Sequence, residues 1–75
     1  MQDTVIPASK KPPTLAEVRE WPATVAVSQG ARALGISGSL AYELIRKGEF
    51  PVRILTLGSS QRVVTASLIA LLEEA

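Results

Sequence analysis

Ser39, Tyr42, Glu43, Arg46 and Lys47 share one side of a helix drawn over Gly38 to Lys47 at about 100° per residue. Ala41, Leu44, Ile45 and Gly48 share the other, which must be the face that meets a core. The polar side offers hydroxyls that can donate to phosphates or base edges, and two cations, Arg46 and Lys47, that can neutralise phosphates. A plainer reading is a solvated face on which Glu43 and Lys47 form a supporting pair four residues apart. Catalysis fits these residues poorly. The chain has no cysteine and no histidine, and its glutamates have no partners at a meaningful spacing. Gly35-Ile36-Ser37-Gly38-Ser39 has the outline of a nucleophile elbow, but no base is available to take a proton from the serine. The expectation is a binding protein, not an enzyme, with no catalytic residue, cofactor or metal.

The flanking elements decide between the two readings of that face. Val27, Ala31 and Leu34 recur at i, i+4 and i+7, an apolar stripe for a helix over Gln29 to Leu34 with Ser28 as its cap. Gly35 follows where the chain must leave a helix in the left-handed region, Ile36 is a buried-type residue, and Ser37 is placed to cap the helix Gly38 to Lys47. Gly48 ends it. Two short helices joined by a tight glycine turn form a helix-turn-helix pattern, whose second helix enters the DNA major groove. Ahead of it, Thr14-Leu15-Ala16-Glu17 is a capping box that starts a helix of about two turns within residues 14–22, closed by Pro22. Trp21 reads as an anchor of that helix on the core. Residues 1–13, with Pro7, Pro12, Pro13 and no apolar period, read as a flexible arm.

After Pro51 the period becomes extended. Val52 to Leu57, a turn at Gly58-Ser59-Ser60, and Gln61 to Val64 read as a β-hairpin, and Thr65 then caps a last helix from Ala66 to about Glu74. The order helix, turn, helix, hairpin, helix describes a small winged helix-turn-helix over residues 23–75, mostly α with a small β-hairpin. In that frame Arg53 and Arg62 would grip phosphates on either side of a minor groove entered by Ser59, Ser60 and Gln61, or they are plain solubilising charges.

Charge agrees in distribution more than in amount. The chain of 75 residues is net +1. Residues 24–72 carry five cations (Arg32, Arg46, Lys47, Arg53, Arg62) against Glu43 and Glu49, net +3, between a neutral first segment and the acidic Glu73-Glu74. The hydrophobic share of 47% includes only 4% aromatic residues, so the core must be built of Val, Ile, Leu and Ala. No signal-peptide-like apolar stretch opens the sequence and no run is long enough to cross a bilayer, so a cytoplasmic location without a membrane partner is expected.

The run Gly35-Ile36-Ser37…Tyr42-Glu43-Leu44-Ile45-Arg46-Lys47-Gly48-Glu49-Phe50-Pro51, followed by Gly58, Arg62-Val63 and Leu68, resembles the excisionase family of small winged-helix proteins, related in fold to the DNA-binding domain of MerR-type regulators. The likeness spans residues 24–72, and Leu15-Ala16-Glu17-Val18-Arg19…Trp21-Pro22 is similar to the lead-in of actinobacterial and mycobacteriophage members. The resemblance implies a recombination directionality factor that binds and bends double-stranded attachment-site DNA. It implies a tyrosine integrase as partner, prophage excision as the outcome, and other copies bound head to tail along the DNA. It implies a recognition helix Gly38 to Lys47 contacting DNA through Ser39, Leu40, Tyr42, Glu43 and Arg46, and a wing from Thr56 to Arg62. Together with the reading of the residues themselves, the expected DNA contacts are Ser37, Ser39, Leu40, Tyr42, Glu43, Arg46 and Lys47 on the helix and Arg53, Ser59, Ser60, Gln61 and Arg62 at the wing. Relatives often carry arginine where this chain has Gly38, and basic residues where it has Ser59-Ser60. Single copies should therefore bind weakly and act together. Two other readings use the same residues: a small transcription regulator, and a protein-interaction adaptor docking through Leu40, Tyr42 and the first helix.

Overall fold

A computed structural model of the chain describes residues 12–74. Apart from Pro12 and Pro13, the expected arm lies outside the described residues. The first helix, α1 (Leu15–Arg19), opens with the expected capping box: Glu17 N–H donates to Thr14 Oγ1 at 3.2 Å and Thr14 N–H to Glu17 Oε1 at 2.7 Å. It runs for five residues, shorter than the two turns expected, because Glu20 and Trp21 close it with bonds back to Glu17 and Val18 before Pro22 is reached. Val18, fully buried, is the residue through which it docks. A helix this short has no stability of its own and is held by packing on the last helix, α4 (Thr65–Glu74).

Strand β1 (Thr24–Ala26) runs directly into α2 (Val27–Leu34). Here the structure corrects two expectations. The helix begins at Val27, and its cap position is Ala26, which makes no side-chain cap bond; Ser28 is an exposed residue inside the first turn. Burial of Val27, 1% exposed, draws the chain into helix before Ser28 can serve as a cap. The helix then ends at Gly35 (φ 74°), with Ile36 N–H bonded to Ala31 O at 3.0 Å. Ser37 Oγ accepts from Leu40 N–H at 3.1 Å and opens α3 (Gly38–Lys47), which closes at Gly48 (φ 72°) in the same way, through Glu49 N–H to Leu44 O at 2.8 Å.

The hairpin differs from its apolar pattern at two ends: the first strand starts at Ile54 instead of Val52, and the second starts at Ser60 instead of Gln61. It consists of β2 (Ile54–Leu57) and β3 (Ser60–Val64) around a two-residue turn, Gly58-Ser59, with Gly58 at φ 63°. Positive φ at the first turn residue alone fits a type II′ hairpin, the twist that matches paired strands. β1 adds to the far side of β3, so the sheet is three-stranded and antiparallel in the order β1-β3-β2. Val63 sits at its centre, opposite Val25 on one side and Ile54 on the other. Thr65 is the first residue of α4 and does not cap it: its hydroxyl donates to Pro22 O and its N–H to Ala23 O. Buried at 4% exposure, it uses both donors to tie the start of α4 to the chain before β1.

The architecture is thus mostly helical with a small antiparallel sheet. Its core is Val18, Val25, Val27, Ala31, Ala41, Val52, Val63 and Leu68, with Trp21, Ile36, Ile45 and Phe50 half-buried around it. Trp21 therefore sits at the rim of the core and does not plug it. At Gly30, α2 lies close against the sheet. A Cβ there would lie 2.8 Å from Val63 Cγ2, a stiff side chain with no exposed surface into which to turn.

Two stability tests follow from these contacts. Gly30→Ala should lower stability by about 1–2 kcal/mol despite alanine's better helix propensity, a fall in Tm of roughly 4–12 °C in thermal unfolding. An unchanged or raised Tm would mean that α2 stands off the sheet. Ser37→Ala should cost about 1 kcal/mol, whereas Ser28→Ala should change stability by no more than about 0.5 kcal/mol. Equal losses at the two serines would restore Ser28 as a cap.

Candidate nucleic-acid interface

α3 keeps the two faces read from its sequence. Ala41 is fully buried, Ile45 is half-buried against the core and Leu44 is half-buried, whereas Gly48, read on the same face, is exposed; Ser39, Leu40, Tyr42, Arg46 and Lys47 are exposed. Leu40 and Tyr42 are 41% and 46% exposed. Both are large amphipathic or apolar groups held in solvent by a rigid helix capped at both ends. Glu43 is half-buried and pairs with Lys47, Oε2 to Nζ at 3.2 Å. This is the supporting pair of the plainer reading. With both side chains about half exposed, it contributes a few tenths of a kcal/mol at most and can be exchanged for another anion. Ser37 is committed as acceptor to Leu40 N–H, which leaves its hydroxyl hydrogen free to donate.

The hairpin residues divide between two faces. Register places Ile54, Thr56, Gln61 and Val63 on the core-facing side, and Leu55, Leu57, Ser60 and Arg62 on the other. Thr56 and Gln61 line an open groove of about 340 Å³ with Ile45, Gly48, Phe50 and Ile54, so the inner face of the hairpin adjoins the C-terminal end of α3. Ser59 is in the turn, and Ser60 opens β3 instead of lying in the turn; both are exposed. Arg53 precedes β2. Its side chain is exposed while its backbone is fixed, N–H to Ser67 Oγ at 3.0 Å and O from Val64 N–H at 3.1 Å.

Arg62 is less free than its sequence position suggests. Its guanidinium donates through Nε to Thr24 Oγ1 at 3.4 Å and through Nη2 to Thr24 O at 3.2 Å, clamping β1 onto β3. Two of its five N–H donors are engaged and three remain. Among the described residues the ion pairs are Lys47–Glu43 and Arg19–Glu73, so Arg32, Arg46, Arg53 and Arg62 have no carboxylate partner.

Two features went unread in the sequence. Arg32, counted there only as charge, is exposed on α2 and lines a second groove of about 390 Å³ with Trp21, Glu17 and Gln29. Leu57, at the end of an apolar run, is 61% exposed at the hairpin tip. Local pattern gave no signal for it, since Leu55 and Leu57 share a face more apolar than that of Ile54 and Thr56, the face that meets the core. Among the described residues no helix is long and apolar enough to cross a membrane. No protein-family model, no curated protein and no solved structure matches the chain.

Proposed function

We propose that the chain is a sequence-specific DNA-binding protein of the winged-helix kind, with α3 as the recognition helix and the β2–β3 hairpin as the wing. One observation carries the reading. A helix capped at both ends presents Ser39, Leu40, Tyr42, Arg46 and Lys47 outward, and its C-terminal end adjoins a short antiparallel hairpin that Arg53 precedes and that carries Arg62, neither with a carboxylate partner among the described residues. The dimensions suit a duplex, since a major groove about 12 Å wide admits one helix and a neighbouring minor groove admits a narrow tip. Ser37 and Ser39 donate to phosphate or base edges at the N-terminal end of α3, where recognition helices meet bases. Tyr42 and Arg46 extend the contact along the groove. Lys47 exchanges Glu43 for phosphate. Arg53, and Arg62 through the donors not engaged by Thr24, hold the backbone beside the wing, while Ser59 and Ser60 at the tip enter the minor groove; Gln61, expected there too, faces the α3 side of the hairpin instead.

In its biological role the protein acts as an excisionase-like directionality factor. It binds repeated sites in attachment DNA, in several copies head to tail, and bends that DNA for a tyrosine integrase during prophage excision. The resemblance in residues 35–51 supports this role, and the net +3 of residues 24–72 fits weak binding by one copy reinforced by neighbours. The site requires no cofactor, metal or catalytic group.

The test is a salt series of gel shifts on duplex DNA. Log affinity should fall linearly with log salt, and Arg46→Ala should make the slope shallower by about 0.9, the contribution of one phosphate. No binding at low salt, or binding with no slope, would refute the reading. An unchanged slope in Arg46→Ala would remove that side chain from the phosphate contacts.

A further inference from the structure

Among the described residues three large apolar or aromatic side chains are exposed, and two of them, Leu40 and Tyr42, lie on α3. The third, Leu57, is the most exposed at 61%, and it stands at the tip of the hairpin opposite Ser60. None of the described residues covers it. Its neighbours are Gly58, Ser59 and Ser60, all exposed and too small to hide it or to widen the tip. Two residue pairs further in, and so on the same face of the hairpin, Leu55 is opposite Arg62, whose guanidinium Thr24 fixes in place.

This is a single protruding apolar side chain with a cation behind it on a narrow ribbon. A protein-docking face would need contiguous apolar area, and here the surrounding positions are Ser59, Ser60 and Arg62, with the half-buried Leu55 adding little exposed apolar surface. A polyanion lined with stacked, apolar base faces meets both requirements at once. We infer that Leu57 is an apolar wedge that enters the minor groove and parts a base step, with Arg62 engaging the phosphate alongside it. The inference rests on the DNA-binding reading and adds to it the source of the bend. A tip without charge cannot draw a duplex around itself electrostatically. An inserted leucine kinks it mechanically, unstacking one step and opening an angle in the range of about 20–90° toward the major groove.

The experiment uses the full chain and a duplex selected by it from a random-sequence pool, carrying 2-aminopurine at successive positions and a donor–acceptor dye pair at its ends. Wild-type protein should raise 2-aminopurine fluorescence at one step and shorten the end-to-end distance. Leu57→Ala should bind with the same salt slope but lose the fluorescence rise and most of the shortening, whereas Leu57→Met should retain both. Because the residue is exposed, the thermal unfolding of both variants should match wild type. Equal bending and unstacking by Leu57→Ala would overturn the wedge while leaving DNA binding intact. So would a variant that bends one site normally and loses only cooperation between adjacent sites, since Leu57 would then meet a second copy. Failure of the wild-type protein to bind any duplex would overturn the wedge together with the reading beneath it.

Discussion

The side chain of Val63 occupies the space that any side chain at position 30 would need, and most of the architecture follows from that contact. Val63 belongs to the central strand, hydrogen-bonded to β1 on one side and β2 on the other. With α2 pressed onto it through Gly30, one residue couples the helix pair to the hairpin. α2 is joined to α3 by a turn of three residues, so the distance of α2 from the sheet also sets where α3 lies relative to the hairpin. A recognition helix and a wing must match the spacing of adjacent grooves on a duplex. In this chain that spacing rests on a glycine and a stiff, β-branched valine.

So small a domain has little core to spare and no disulfide to brace it. Its ends are held by individual polar ties. Thr65 closes onto Pro22 and Ala23, Ser67 holds the backbone of Arg53 beside β2, and Arg19 reaches Glu73 between α1 and α4. The first of these is buried, so leaving its carbonyl unpaired would be costly; the last is half exposed and contributes little. α1 therefore depends on Val18 more than on its ion pair. The outer surfaces of α3 and the hairpin take no part in these ties, Arg62 excepted, and are left free for a partner.

Legibility in the sequence followed the range of the interaction that decides each feature. α3 could be bounded to the residue because Ser37, Gly35 and Gly48 each act on backbone within a few positions of themselves. The capping box at Thr14 was legible for the same reason. Ser28 and Thr65 look like caps locally, but burial of Val27 and the carbonyl of Pro22 outweigh the local preference. β1 holds the β-branched pair Thr24-Val25, yet its pairing with β3 joins residues some forty positions apart and leaves no local trace. The same separation hid the Arg62–Thr24 clamp, which changes an apparently free wing arginine into one that also fastens the sheet. The outward face of α3 was legible from period alone. The exposure of Leu57 depended on knowing which hairpin face meets the core.

The functional account makes one surface of the molecule the site of contact: the outer side of α3 together with the hairpin tip. Titration of isotopically labelled protein with duplex DNA, followed by amide chemical shifts, tests this most directly. The account predicts that amides of residues 38–47 and 57–62 shift together and in proportion, while those of α1 and the Trp21–Arg32 groove stay in place. Shifts confined to that groove, or none at all on adding duplex, would contradict it.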